Sequence, residues 1–261
     1  KDLTLKEAFD LAIHYHQNNN LQDAQNYYQK VLKIDPNHSQ ALNNIGVIFK
    51  GLGENQKAKE CYEKAIEINP NYAATYYNLG KIFQRLSENQ KAKECYEKAI
   101  AINPNYSSAH NNLGNIFKEL GKNQKAISCF EKAIVINPNY AYAHNNLGVM
   151  FMESKEYQKA KDCYKKAIEI NPNYVDAYNN LGAVFKNLGE YQKAINPYVK
   201  VIKLKPNDKV ALINKGKILF EKGEFELALI DFDNCNNSDS RFWALTSLYA
   251  LGRIDEIYKR I

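Results

Sequence analysis

The side chains with the most chemistry to offer recur at one interval. Cysteines stand at 61, 95, 129 and 163, each 34 residues after the last, with a fifth at 235. A thiolate can attack a substrate or bind a soft metal, but either use needs a neighbouring base or further ligands at metal spacing. There is no CxxC, and no Cys or carboxylate recurs beside His110 and His144 at such a spacing. The cysteines therefore read as one structural position copied four times, and as free thiols. The two histidines read as packing residues. An odd cysteine count without a secretory pattern fits a reducing, cytoplasmic setting. HExxH, a phosphate-binding glycine loop and GxSxG are all missing from the sequence. The expectation is a chain with no catalytic centre, no metal and no cofactor.

A third periodic side chain is an amide. Asn44, Asn78, Asn112, Asn146, Asn180 and Asn214 keep the same step. Asn43, Asn111, Asn145 and Asn179 precede four of them, while Tyr77 and Ile213 interrupt that second run. An asparagine side chain both donates and accepts, so it can pair with a peptide unit through both of its groups. A row of them would grip an extended backbone with little regard for its sequence. The competing reading is plain composition, because the chain is Asn-rich throughout. Asn37-His38-Ser39, Asn105-Tyr106-Ser107 and Asn236-Asn237-Ser238 match the glycosylation sequon, and are read as accidental because nothing indicates secretion.

Four more registers define the elements that must carry these groups. Prolines at 36, 70, 104, 138, 172 and 206 step by 34, as do glycines at 46, 80, 114, 148, 182 and 216. Ala24, Ala58, Ala92, Ala126, Ala160, Ala194 and Ala228 follow suit, each with Tyr or Phe four residues later. A fixed period of this length marks a solenoid of stacked supersecondary units. Ala109, Leu113, Ile116, Phe117 and Leu120 have the spacing of one helical face, and Ala126, Phe130, Ala133 and Ile134 that of a second helix. Gly114 and Ala126 are small where the two helices should cross. Gly53, Gly121, Gly189 and Gly223 end the first helix, where the chain commonly turns left-handed. Ser87 and Lys155 take that place in two repeats and predict either strain or a different loop shape there. Asn-Pro pairs such as Asn137-Pro138 end the second helix. Pro197, inside a second helix spanning about 190–203, predicts a local distortion.

This pattern resembles the tetratricopeptide repeat family over nearly the whole chain. Residues 107–140 carry it in His110, Leu113, Gly114, Phe117, Ala126, Phe130 and Pro138. The resemblance implies one all-α domain over 1–261, a right-handed α-solenoid of helix–turn–helix repeats. They fall at 5–38, 39–72, 73–106, 107–140, 141–174, 175–208 and 209–236, followed by a degenerate partial repeat from 237 whose last helix would put Ile254, Ile257 and Ile261 on one face. Departures lie at the ends: Ala12 replaces Gly, Lys215 replaces Leu, and the seventh repeat lacks its closing Pro.

Numbering each repeat 1 to 34, positions 2, 5, 6, 9, 12 and 13 share the face of helix A opposite its packed stripe. The amides occupy positions 5 and 6, so stacked repeats would set them along a concave groove. The array is similar to that of O-linked N-acetylglucosamine transferases, and the resemblance implies that the position-6 asparagines hold peptide backbone. Lys50, Lys81, Arg85, Asn115, Lys118, Lys186 and Lys217 share the groove with Glu119, Glu153, Asp176 and Glu221, a balance that suggests tolerance of acidic ligands. The net charge of +6 is mild and interspersed, unlike a nucleic-acid stripe, and no apolar run could span a bilayer. The expected partner is thus a protein or peptide, with neither nucleic acid nor membrane. Two other readings stand beside it. The chain, which opens on Lys and reads as a processed or excised piece, could present substrates to a catalytic domain beyond Ile261. Single-stranded RNA binding fits less well, for want of an aromatic stacking row.

Overall fold

A computed structural model describes residues 3–235 and 237–260. Asn236, with its sequon and the end of the seventh repeat, and Ile261 of the expected terminal apolar face lie outside the described residues. The chain forms two compact units, 1–136 and 137–261. In the first, α1 (Leu5–Gln17), α3 (Ser39–Gly51), α5 (Ala73–Arg85) and α7 (Ser107–Glu119) are the A helices. Their partners are α2 (Leu21–Ile34), α4 (Asn55–Ile68), α6 (Asn89–Ile102) and α8 (Asn123–Ile136). In the second, α9 (Ala141–Glu153), α11 (Val175–Asn187), α13 (Lys209–Glu221) and α15 (Ser238–Ala250) alternate with α10 (Tyr157–Ile170), α12 (Tyr191–Leu204), α14 (Phe225–Cys235) and α16 (Ile254–Arg260). The described residues contain no strand. The fold is an all-α solenoid of about seven repeats and a partial eighth.

Within a hairpin the two helices meet along the expected stripes. Ala109, Leu113, Ile116 and Phe117 of α7 are buried, as are Ala126, Phe130 and Ala133 of α8. Leu120 departs from the expectation: it is the C-cap residue of α7 and 43% exposed, because the helix ends before it can turn inward. The recurrent glycine has a sharper reason than close backbones. A Cβ on Gly114 would sit 2.6 Å from Cε1 of Phe130, and the same clash meets the position-24 ring in each repeat from the second to the seventh. The aromatic fills the space that a side chain at position 8 would need.

The turns follow from local chemistry. Gly121 has φ +69°, and the 6→1 bond from Lys122 N to the Phe117 oxygen (2.8 Å) closes the helix end. Ser87 (φ 59°) and Lys155 (φ 61°) adopt that left-handed conformation too, and so does Asn19 (φ 57°). At the other end of the repeat the residue before proline caps the turn: Asn137 Oδ1 accepts from Asn139 N at 3.1 Å. Asn69, Asn103, Asn171 and Asp35 act identically.

The distal repeats depart from the regular pattern in two places. Helix α12 runs unbroken from Tyr191 to Leu204 through Pro197, so the expected distortion does not interrupt it. The missing bond leaves the Lys193 carbonyl on an exposed residue that water can satisfy, while the proline ring is buried. The seventh repeat closes early. A step of 34 from Lys209 would reach Trp243, yet α15 starts at Ser238, so an aromatic-rich helix packs Trp243 against Phe220 and Phe232.

Candidate functional site

The position-6 asparagines sit on the A helices, one in each repeat from the second to the seventh, and all are half-buried. Position 5 behaves differently from the expectation of one shared open face. Asn43 and Asn111 are 4% exposed and Asn145 6%. A step of one residue rotates a side chain ~100° around the helix, enough to turn Asn43 and Asn145 into the seam with the repeat that follows each. Asn179 remains half-buried; its Nδ2 donates to Asp208 Oδ1 at 3.3 Å. Its own Oδ1 is buried without a partner.

In the first unit the amides form a relay between repeats. Asn78 Nδ2 donates to Asn43 Oδ1 (3.1 Å), Asn43 Nδ2 to Asn44 Oδ1 (3.1 Å), and Asn44 Nδ2 to the Tyr28 hydroxyl (3.1 Å). Asn111 Nδ2 donates to Asn112 Oδ1 (3.3 Å), and Asn112 Nδ2 lies 3.4 Å from the hydroxyls of both Tyr77 and Tyr96. Burial pushes the Tyr28 and Tyr96 hydroxyls above the usual range, so they stay neutral acceptors. In the second unit Asn180 Nδ2 donates to Asn145 Oδ1 at 3.0 Å, repeating the Asn78–Asn43 link. The amides are therefore structural and only in part available. Among the described residues, no hydrogen bond engages the side-chain carbonyl oxygen of Asn78 or Asn180, and Asn214 makes no side-chain hydrogen bond. Sequence reasoning missed the tyrosine hydroxyls. The signal lies in position 24, where Tyr28 and Tyr96 reach the amide sixteen residues on, whereas the hydroxyls of Tyr62 and Tyr198 are buried without a partner.

The cations distribute unevenly. Lys50, Lys81, Asn115 and Lys118 are half-buried on the first unit's A helices, with Arg85 exposed. Lys81 Nζ lies 5.6 Å from the Tyr77 ring centroid, and in the second unit Lys217 Nζ lies 5.2 Å from that of Trp243. Lys186 is half-buried, while Glu119, Glu153, Asp176 and Glu221 are exposed.

The other candidates of the sequence resolve into structure. Nε2 of His110 and of His144 lies 3.0 and 2.9 Å from the carbonyls of Pro104 and Pro138, and the Tyr178 hydroxyl makes the equivalent bond to Pro172. Position 4 thus ties helix A to the preceding turn. All five cysteines are free. Burial pushes Cys61 and Cys129 up to about 11 and Cys95 to about 12, which keeps these thiols protonated and unreactive at neutral pH.

Models of the tetratricopeptide repeat family match residues 5–71, 38–105, 95–128, 141–174 and 163–196, and a further TPR repeat model matches 114–155. The chain belongs to the tetratricopeptide repeat family, whose members are protein-interaction scaffolds. No curated protein sequence matches it. Among solved structures it is similar to MamA, at 28% identity and TM-score 0.54 over 64% of this chain and 92% of that one. PilF of Pseudomonas aeruginosa shares the fold at 20% identity and TM-score 0.71, covering 78% of this chain and 96% of that one. YrrB, a TPR protein with an unusual peptide-binding site, does so at 22% identity and TM-score 0.57, over 71% and 95% respectively. No described helix is long and apolar enough to cross a membrane.

Proposed function

We propose that this scaffold holds an extended peptide segment of a partner protein along its A helices, with position-6 asparagines pairing to the peptide backbone. The observation that carries the reading is the residual bonding capacity of the row. Asn78, Asn180 and Asn214 each present an amide carbonyl that no described neighbour takes, on half-buried residues where a ligand would exclude water. Asn44 and Asn112 contribute less, since Asn43, Asn111 and the tyrosines already engage both ends of their amides. YrrB, with its peptide-binding site, lends the fold-level precedent. RNA is the weaker ligand, because Glu153, Asp176 and Glu221 on the second unit's A helices repel phosphate.

An array of unrelated synthetic peptides tests this. The unmodified chain should bind many extended sequences, and Asn180→Ala with Asn214→Ala should weaken most of them together. Each lost hydrogen bond contributes about 0.5–1.5 kcal/mol. Binding that is unchanged by the double substitution would assign the amides to repeat packing alone.

A further inference from the structure

The first unit carries three cations that no described carboxylate answers. Lys81 and Arg85 follow Asn78 along one face of α5, at spacings that align side chains on a helix. Lys50 comes from the last turn of α3 in the preceding repeat. The two helices are tied at this point, for Arg85 Nη1 donates to the Lys50 backbone carbonyl at 3.2 Å. None of the three enters a salt bridge among the described residues, although lysines on the B helices do so repeatedly, as in Lys57–Glu54 and Lys159–Glu156. The acid at Arg85's position one repeat on, Glu119, accepts instead from Asn89 Nδ2 at 2.8 Å. Convergent like charges are an unfavourable arrangement for a surface that only meets water. Burial first, and then Lys81 and Arg85, lower the Lys50 ammonium to about 8. An anion seated among them would relieve the repulsion, and a guanidinium fork is shaped to take a carboxylate in two bonds.

We infer that Lys50, Lys81 and Arg85 form an anchor for an acidic side chain of the bound peptide, beside the backbone unit held by Asn78. The inference rests on the peptide-binding reading above and adds the partner's chemistry: a segment with Glu or Asp in register with the third repeat. Charge complementarity selects this occupant. An acidic side chain here fixes where along the amide row a ligand sits, which backbone pairing alone leaves undetermined.

The test uses the full chain with fluorescein-labelled hexaglutamate and hexaglutamine peptides, read by anisotropy at fixed salt. Hexaglutamate should bind at least about tenfold tighter, since charge complementarity discriminates between partners of equal size. Lys81→Gln with Arg85→Gln should bring the ratio close to one, and circular dichroism should remain unchanged. Lys125→Gln with Lys159→Gln removes the same charge from the B helices and should preserve the ratio. Asn78→Ala should weaken both peptides by a similar factor. A ratio near one in the unmodified chain overturns the anchor, as does a ratio that survives loss of Lys81 and Arg85. If the Asn variant changes neither peptide while the cation variant collapses the ratio, the amide reading fails and the anchor stands. Labelled oligothymidylate binding more tightly than hexaglutamate through the same cations would overturn the assignment of a peptide ligand.

Discussion

The fourth and seventh repeats solve one packing problem with opposite chemistry. In the fourth, Leu113 at position 7 and Cys129 at position 23 line the same small dent between helices A and B. In the seventh these positions hold Lys215 and Asp231, paired at 2.9 Å with their side chains 20% and 6% exposed. The ion pair takes the place of a leucine and a cysteine, and helices α13 and α14 still form a hairpin. Its satisfaction is incomplete: burial raises the Asp231 carboxyl despite the lysine, and Oδ2 has no partner. A repeat position thus specifies a volume first and a polarity second, provided that both members of a contact change together.

Breaking the pair gives the largest expected effect. Lys215→Met should destabilise the seventh repeat by about 3–5 kcal/mol, because it strands a buried carboxylate. Lys215→Leu with Asp231→Cys, which copies the fourth repeat, should be neutral or stabilising by about 1–4 kcal/mol. Hydrogen exchange of α13 and α14 is the measurement, since repeat arrays need not unfold as one unit. A double variant as damaged as the single one would show that the seventh repeat has diverged beyond these two residues.

Adding volume to a position common to both repeats should have a smaller and more uniform effect. Gly114→Ala and Gly216→Ala each drive a Cβ to 2.6–2.7 Å from an aromatic ring carbon. Overpacking of this kind costs about 1–3 kcal/mol, offset by up to about 1 kcal/mol of helix propensity. Thermal melts should therefore fall for both, whereas Ala12→Gly in the first repeat should not raise the melting temperature. Equal tolerance of Ala in all three repeats would remove the aromatic clash as the reason for glycine.

The smallest effect concerns a charge left unpaired, in contrast to Lys215. Lys50 is a base whose folded value, about 8, lies below the ordinary 10.5. Its contribution to stability is fully present above 10.5 and is lost as pH falls through about 8, where the folded state must charge it beside Lys81 and Arg85. Unfolding midpoints of the native chain and Lys50→Met, taken from pH 7.5 to 10.5, should converge as pH rises. Parallel curves would mean that neither burial nor Lys81 and Arg85 lower the Lys50 ammonium.

The hairpins and the left-handed turns at Gly53, Gly121, Gly189 and Gly223 were legible because each depends on local sequence repeated many times. The fate of the amides was not. Whether position 5 is open or buried depends on the adjoining repeat, and only the stacked structure turns Asn43 and Asn145 into the seam. The Lys215–Asp231 pair was half legible. Lys215 stood out as a departure, but its partner becomes visible only by asking which position opposes 7 across the hairpin. Pro197 lies in a helix that stays continuous, with its ring buried and Lys193, whose carbonyl it frees, exposed to water.

The clash between each position-8 glycine and its own position-24 ring has a consequence at the level of the gene. Both members of that contact lie within one period, so a duplicated repeat arrives with its internal fit already made. Residues 55–66 and 89–100 are identical in sequence, the kind of stretch at which misaligned recombination inserts or deletes a full period. Each such event would lengthen or shorten the amide row by one asparagine and leave the hairpins intact. Array length can then change in whole steps over evolutionary time, and with it the number of amides in the row.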